Sequence, residues 1–371
     1  MGLLWFLLAI AVVPTNKIYQ QGLVALLWVP ALIFSWSARA RLRELLVEQR
    51  WVYLPILGLL LWALLSLVWT SAPDVSREAK RLIYIVIFLL FFPVFANGRP
   101  ERVIRVMQWA AIGLAATALA AIIKFYGMDG HDWSSRLEGL AELSHPILGG
   151  YVIGLAAVWL AVWPPRTGRM QVVWAIALCL LCLFVMLSQS RGAALALFFT
   201  LLAMPMWSCD KRSRIIAAAA LIAAVLAIWF FESFVVARGV SYRPQILIAS
   251  LNMIAEHPWL GLGLGGDYKV FASNLYFDHT HNFFTHVTIE LGIPGLVLWC
   301  VTWIAVLYEA WKVRDTRYAQ GMIGIWLFST MAMQFDAASL SGTPRPEWFI
   351  SWLPIGLASV LVCARRIPKH L

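Results

Sequence analysis

The stretch that decides the fold runs from Arg238 to Gly295: RGVSYRPQILIASLNMIAEHPWLGLGLGGDYKVFASNLYFDHTHNFFTHVTIELGIPG. It is the longest part of the chain without a candidate membrane span. On both sides, most of the sequence consists of apolar runs long enough for a helical span, about 17 residues or more. The stretch holds four of the seven histidines, at His257, His279, His281 and His286. We therefore expect the chemistry of this protein to take place within this polar stretch.

The composition of the whole chain is that of a membrane protein. Of the 371 residues, 61% are hydrophobic and 13% are charged, compared with about 45–50% and about 25% in soluble domains. The formal net charge of +10 does not require a nucleic-acid partner, because lysine and arginine collect in the cytoplasmic loops of membrane proteins. The sequence predicts an all-α polytopic membrane protein with a single membrane-embedded domain over residues 1–371.

About twelve apolar segments are candidates for transmembrane helices. The predicted spans are 2–13, 20–37, 51–70, 80–95, 103–125, 146–163, 171–188, 191–207, 214–232, 283–308, 318–337 and 347–364. The first segment lacks a basic start and a small-residue cleavage site, so we interpret it as a short span and not as a signal peptide. Gly292 and Pro294 interrupt the span 283–308, and a kink is expected there because proline removes a backbone donor.

The lysines and arginines orient these spans. With a cytoplasmic N-terminus, 18 of the 29 lysines and arginines fall in cytoplasmic segments and 11 in outer segments, although the outer segments are longer in total. Cytoplasmic loops carry an excess of such residues. The pattern therefore predicts that both termini are cytoplasmic and that the histidine-rich stretch lies on the outer face.

The large outer loop covers residues 233–282 and is expected to contain short helices. The segment 243–256 has the pattern of an amphipathic helix, with Pro244 in the first turn, where a missing amide is tolerated. The glycines between 261 and 266 predict a tight turn before a short helix. No Gly-Lys-Ser or Gly-Lys-Thr sequence follows them, which excludes the phosphate-binding loop of nucleotide hydrolases.

Arg191 is the outer cation with the most informative position. It lies in the sequence LSQSRGAALAL, in a hairpin so tight that the side chain must be at or just within the outer membrane face. A charge at such a depth is costly and tends to be functional. The alternative is an arginine that extends to the lipid headgroups without a catalytic role.

The histidines allow three interpretations. His279-x-His281, with His286 further along, has some of the residues of a metal site, but a zinc site needs three or four ligands at recognisable spacing. A histidine at the membrane surface could instead act as a base near neutral pH. The third possibility is that these histidines only form hydrogen bonds within the loop. We expect no metal and no cofactor.

The outer charges favour a phosphorylated lipid as substrate. None of the outer carboxylates forms the Asp-x-Asp pair that holds a divalent metal against a diphosphate. Arginine binds phosphate through two parallel hydrogen bonds and stays charged. The candidates are Arg191 and Arg243, with Arg136 and Arg81 in addition. Several arginines and one histidine at the bilayer surface suit a lipid-linked diphosphate leaving group.

Several motifs resemble those of the O-antigen ligase family, whose superfamily also holds O-antigen polymerases. They are Ser190-Arg191-Gly192, Arg243-Pro244, Pro258-x-x-Gly261-x-Gly263, His281-Asn282 and Glu290-Leu-Gly292-Ile-Pro294-Gly295. The motifs extend from about Arg136 to Glu309, and the twelve-span plan with one large late outer loop extends the resemblance to the whole chain.

The resemblance implies a metal-independent, inverting glycosyltransferase of the membrane-embedded GT-C type in the bacterial inner membrane. Such an enzyme moves O-antigen glycan from undecaprenyl diphosphate to lipid A–core oligosaccharide at the periplasmic face. The essential histidine of the family falls on His281, and its essential arginines fall on Arg191 and Arg243. Arg136, Arg81, His279 and Asn282 are then candidates for binding substrate. The expected partners of the protein are the undecaprenyl-diphosphate-linked glycan, the lipid A–core oligosaccharide and membrane lipid. No nucleic-acid partner is expected.

Two other functions compete with this one. A polymerase of the same superfamily joins repeat units on the lipid carrier and shares the donor chemistry. A solute transporter would also fit twelve spans, but the chain has no evident repeated half, and its polar residues concentrate at one face.

Overall fold

The computed structural model describes residues 1–165, 168–237, 242–337 and 339–365, with the side chains of 227–237 and 365 left aside. Arg238, which opens the polar stretch, lies outside these residues. So do three other cations used above to orient the chain, namely Arg166, Arg366 and Lys369.

The described chain is mainly helical, with one two-stranded sheet. In chain order the elements are α1 (Gly2–Leu8), α2 (Asn16–Leu23), α3 (Val29–Ser37), α4 (Arg39–Glu48), α5 (Arg50–Ser66), α6 (Val75–Ala96), α7 (Pro100–Ile122), α8 (Pro146–Val162), α9 (Gly168–Leu187), α10 (Arg191–Ala203), α11 (Lys211–Ala237), α12 (Arg243–Glu256), β1 (Val270–Ala272), β2 (Leu275–Phe277), α13 (Phe283–Lys312), α14 (Arg317–Met333), α15 (Glu347–Ile350), α16 (Trp352–Ala358) and α17 (Leu361–Arg365).

The all-α polytopic class is confirmed, and each of the twelve predicted spans coincides with helical structure. Within the described residues, five helical stretches are long and apolar enough to cross a membrane: Asn16–Ser37, Val75–Ala96, Pro100–Met128, Gly168–Leu187 and Phe283–Lys312. The pair α4 and α5, bent by 100°, makes a sixth if it forms one span. Other apolar helices, α8 among them, are shorter. The number twelve therefore stays a prediction.

The expected kink in the long helix α13 is confirmed. Gly292 has φ 65° and ψ −173°, outside the helical region, and Pro294 follows it. A side chain at position 292 would lie 2.2 Å from the carbonyl oxygen of Trp259, so the close approach of this loop requires glycine. The indole of Trp62 on α5 donates to the Leu291 carbonyl at 2.8 Å. The kink thus fixes the N-terminal part of α13 against α5.

The outer loop differs in part from the prediction. Helix α12 begins and ends as expected, but the described residues after the glycine turn form a β-hairpin in place of a short helix. Its register pairs Val270 with Phe277 and Ala272 with Leu275. Ser273 and Asn274 both have positive φ, as a two-residue hairpin turn requires. The branched and aromatic residues on each side favour strands over a helix.

Helix α8 lies at the centre of the described helices and is buried from Gly149 to Val162. It packs against α7, α9, α10 and α14. Its tryptophans satisfy their indole N–H groups on neighbouring helices, Trp159 at the Met107 carbonyl (2.9 Å) and Trp163 at the Arg317 carbonyl (2.8 Å).

Candidate active site

The histidine segment, residues 279–281, links strand β2 to helix α13. Asn282 caps the helix, because its side-chain oxygen accepts from the amides of Phe284 (2.9 Å) and Thr285 (3.1 Å). His281, directly before the cap, has φ +51°. A non-glycine residue in this left-handed region stores strain, and such strain is concentrated at functional sites. The segment is therefore held in an unusual conformation by the structure around it.

Both histidines of the segment face one carboxylate. The Nε2 atom of His279 lies 3.4 Å from Oδ1 of Asp336, and Nδ1 of His281 lies 3.6 Å from the same oxygen. The two imidazole ring centres are 4.1 Å apart. Nδ1 of His281 is buried and makes no hydrogen bond within the described part of the chain. In this cluster, Nδ1 of His281 therefore lies beside the Asp336 carboxylate without a hydrogen bond to any described residue.

The ionisation of Asp336 depends on these neighbours. Its side chain is only 7% exposed, and burial by itself would raise the pKa of the carboxyl. The interactions with His279 and His281 outweigh burial and hold the pKa of Asp336 well below its ordinary value. Asp336 is therefore an anion at neutral pH.

Replacement of Asp336 by asparagine is expected to lower stability by about 1–3 kcal/mol at neutral pH, because a buried charge that faces two imidazoles is removed. Since the folded-state pKa is depressed, this stabilisation is fully present above the unfolded value of about 3.9 and is lost as pH falls toward the folded value. Thermal unfolding in detergent from pH 7 to pH 3 should show that the difference between wild type and Asp336→Asn becomes smaller toward the acid end. A difference that grows toward pH 3 would contradict the ionised state of Asp336.

The same three side chains could hold a metal ion. One ligand atom each from His279, His281 and Asp336 lie within 4.8 Å of one another. Two imidazoles and a carboxylate are a donor set that divalent transition metals accept. The expectation of a metal-free site stays a prediction, and excess chelator in the transfer reaction tests it.

Arg191 begins helix α10 and is brought to the same region by tight packing. Ser190 caps the helix, with its hydroxyl accepting from the Ala193 amide at 3.4 Å. A side chain at position 192 would lie 2.7 Å from the Tyr151 hydroxyl and 2.8 Å from Cβ of Phe335. Gly192 therefore allows the start of α10 to approach Phe335, the residue next to Asp336.

Arg243 also contacts Phe335. It is the first residue of α12, and its guanidinium lies 5.7 Å from the centre of the Phe335 ring. The stacked arginine and the start of α10 are thus both placed against the residue that precedes Asp336. The structure brings Arg191, Arg243 and the histidine segment to one place from three separate parts of the sequence.

Two further predicted site residues, Arg136 and Asn282, contact the segments that form this centre. Nε of Arg136 donates to the Ser188 carbonyl at 3.2 Å and so supports the hairpin that carries Arg191. Asn282 also donates from its side-chain nitrogen to Oε1 of Gln334 at 3.2 Å. Both side chains therefore already have protein partners that fix the site.

Arg81 belongs to a second polar cluster. It pairs with Glu78, a buried residue near the start of α6. The other carboxylate oxygen of Glu78 accepts from the Ser341 hydroxyl at 3.1 Å. The described contacts of Arg81 are thus with this cluster and not with the histidines.

Asp336 and Phe335 are the site residues that the sequence did not single out. Asp336 was one outer carboxylate among eight, and its partners are far away in the sequence. His286, grouped above with the other histidines, instead faces Glu290 and Tyr268. The spacing of four between His286 and Glu290 on a helix was a local signal of that pairing.

Gly192→Ala is expected to reduce activity more than it reduces stability. The added methyl group meets Cβ of Phe335, which cannot rotate away, so α10 and the Phe335 segment must move apart. We expect at least about a tenfold loss of turnover, because small misplacements of catalytic groups cost up to about 10²-fold.

Turnover and thermal unfolding of Gly192→Ala should be measured together. Gly127→Ala is the control, since a side chain there meets nothing within 4 Å. Unchanged turnover would show that this contact does not position Arg191.

Taken together, the apolar helical body and the cluster of histidine, arginine and carboxylate side chains define a membrane protein with a charged polar site. Comparison with known proteins agrees with the resemblance seen in the sequence. The O-antigen ligase family model matches residues 175–300. The chain is 28% identical over 356 residues to an O-antigen ligase of Pseudomonas aeruginosa, covering 94% of this chain and 86% of that protein. The resemblance to O-antigen ligases is thus confirmed over nearly the whole chain.

Proposed function

We propose that this protein is a glycosyltransferase that moves O-antigen glycan from undecaprenyl diphosphate to lipid A–core oligosaccharide. The observation that carries the proposal is the convergence of Arg191, Arg243 and the His281–Asp336 pair on one site. Two arginines suit the diphosphate of the donor. The histidine suits the hydroxyl of the acceptor. The match to O-antigen ligases supports the same chemistry.

The donor binds through its diphosphate at Arg191 and Arg243. In transfer, negative charge grows on the diphosphate as the bond between the anomeric carbon and the phosphate oxygen breaks, and the electron pair leaves with the diphosphate. Guanidinium groups already in place stabilise that charge without reorganisation during the reaction. The stacking of Arg243 on Phe335 supports such pre-organisation.

The acceptor hydroxyl attacks the anomeric carbon from the face opposite the leaving diphosphate. A single displacement of this kind inverts the anomeric configuration. His281 takes the hydroxyl proton as the new bond forms and passes it to solvent. The ionised Asp336, 3.6 Å from Nδ1, stabilises the imidazolium that results. No metal is needed in this scheme, because the arginines carry the positive charge.

The membrane arrangement follows from the substrates. We propose twelve spans in one GT-C-like domain over residues 1–371, with both termini in the cytoplasm and the protein in the bacterial inner membrane. The loop 233–282 lies on the periplasmic side and carries Arg243 and the histidine segment. Lipid-linked substrates then reach the site along the bilayer, with their tails among the helices and their headgroups at the polar edge.

Product analysis tests the proposal. Purified protein receives undecaprenyl-diphosphate glycan with or without lipid A–core. We expect higher-mass lipid A–core only when both lipids are present. Longer glycans on undecaprenyl diphosphate, formed without lipid A–core, would identify the polymerase activity instead. No change in either lipid under conditions where the protein is folded would contradict both activities and favour transport.

A further inference from the structure

A chain of buried polar groups runs beneath the histidine segment. The Tyr268 hydroxyl lies 2.6 Å from Nδ1 of His286, and Nε2 of that histidine lies 3.4 Å from Oε2 of Glu290. The amide of Gly265 donates to the other carboxylate oxygen of Glu290 at 3.1 Å. We call Tyr268, His286 and Glu290 the relay. The mechanism above uses none of its members.

The relay is costly to bury. The side chains of His286 and Glu290 are 5% and 6% exposed and lie on α13, a candidate membrane span. Nε2 of His286 and Oε2 of Glu290 face each other, and neither makes a hydrogen bond elsewhere in the described chain. Burial of polar and ionisable groups is unfavourable unless they are paired, and such groups in membrane helices are functional by default.

The contacts of the relay are clearest at its two ends. At one end the Tyr268 hydroxyl contacts Nδ1 of His286, a ring nitrogen that donates or accepts according to its tautomer. At the other end the Gly265 amide donates to Glu290. Between the two ends, Nε2 of His286 and Oε2 of Glu290 lie 3.4 Å apart. Linked contacts of this kind hold the three side chains in fixed orientations.

One end of the relay reaches the catalytic histidines. Tyr268 lies beside Thr280, the residue between His279 and His281. The Thr280 hydroxyl in turn donates to the Asn282 carbonyl at 2.8 Å. The orientation of Tyr268 is therefore transmitted to the segment in which His281 adopts its left-handed conformation.

The other end reaches the glycine turn and the second polar cluster. Gly265 has φ +69°, and a side chain there would lie 2.8 Å from Cγ of Glu78. Glu78 is the partner of Arg81 and Ser341. The relay thus connects the glycine turn, helix α6 and the histidine segment through α13.

We propose that Tyr268, His286 and Glu290 are positioning residues that hold His281 in its orientation toward Asp336. The inference rests on the proposed glycan transfer, since that reaction supplies the readout. Because the mechanism proposed above gives the relay no contact with the substrate, its loss should lower turnover and leave donor binding unchanged. A merely structural role would instead lower stability or weaken binding without a specific effect on turnover.

The test is a double-mutant cycle on transfer by the full-length protein. Tyr268→Phe removes one hydroxyl, and Glu290→Gln replaces the carboxyl group that faces the imidazole by an amide. Tyr276→Phe on β2 is the matched control, because this tyrosine is 71% exposed. For each variant, kcat, the KM for undecaprenyl-diphosphate glycan and the thermal unfolding midpoint are measured against wild type.

We expect kcat to fall about tenfold in each relay variant, with KM within about twofold and Tyr276→Phe unchanged. Groups in one network show non-additive effects. The kcat of the double variant should therefore be at most about threefold lower than the kcat of the less active single variant. A wild-type kcat in Tyr268→Phe would contradict the positioning role of the relay. Losses of kcat that multiply in the double variant would contradict it as well. An inactive wild type would instead contradict the proposed function, so the two failures are distinguishable.

Discussion

His281→Ala is expected to reduce glycan transfer by about 10²–10⁴-fold, the usual contribution of a positioned general base. The loss should appear in kcat, because the imidazole acts on the acceptor hydroxyl during the chemical step and not on the bound diphosphate. The protein should remain folded, since the His281 side chain is 26% exposed and His279 still faces Asp336 at 3.4 Å.

The measurement is steady-state transfer with purified protein at several acceptor concentrations. His257→Ala is the matched control, because His257 is an exposed histidine of the same loop at the end of α12. Near-normal kcat in His281→Ala, with His257→Ala equally active, would remove His281 from the chemistry and with it the mechanism proposed above.

Arg191→Ala is expected to reduce kcat/KM for the lipid donor by about 10²–10³-fold, the effect of losing one preorganised charge donor at a reacting group. Arg191→Lys should recover little of this loss, because an ammonium group cannot make the two parallel hydrogen bonds that a guanidinium makes with phosphate. Arg243→Ala should behave similarly, since its stacking on Phe335 directs it to the same place.

Lys269→Ala is the control for the arginine variants, because Lys269 is an exposed cation of the same outer loop. It separates a specific diphosphate site from a general attraction of the anionic donor to a basic surface. An equal loss in Lys269→Ala and Arg191→Ala would indicate only that general attraction. A loss confined to the arginine variants supports direct contact with the diphosphate.

Much of the fold could be predicted because it depends on local patterns. Apolar length identifies the helical segments, Pro244 marks the start of α12, and Gly292 with Pro294 marks the kink in α13. The hairpin at 270–277 was missed because Ser273-Asn274 is not a strong turn signal like Asn-Gly. The number of spans could not be settled from the sequence, because short apolar helices such as α8 and α10 lie near the minimum length of a crossing.

The site was predictable in its residue types but not in its geometry. Arg191, Arg243 and His281 were identified from charge, position and family resemblance. Their convergence depends on Phe335 and Asp336, which come from a different part of the chain and have no local signature. The pairing of His286 with Glu290 had a local signal in their spacing of four, whereas its contact with Tyr268 had none.

The most direct test of the central claim is transfer by purified wild-type protein in excess chelator, with His281→Ala alongside. The substrates are undecaprenyl-diphosphate glycan and lipid A–core in detergent. We predict a ladder of higher-mass lipid A–core with wild type, unaffected by the chelator, and none with His281→Ala. Transfer that stops on chelation and returns with a divalent metal would assign His279, His281 and Asp336 to a metal ion. Failure of wild type to modify either lipid would contradict glycan transfer itself.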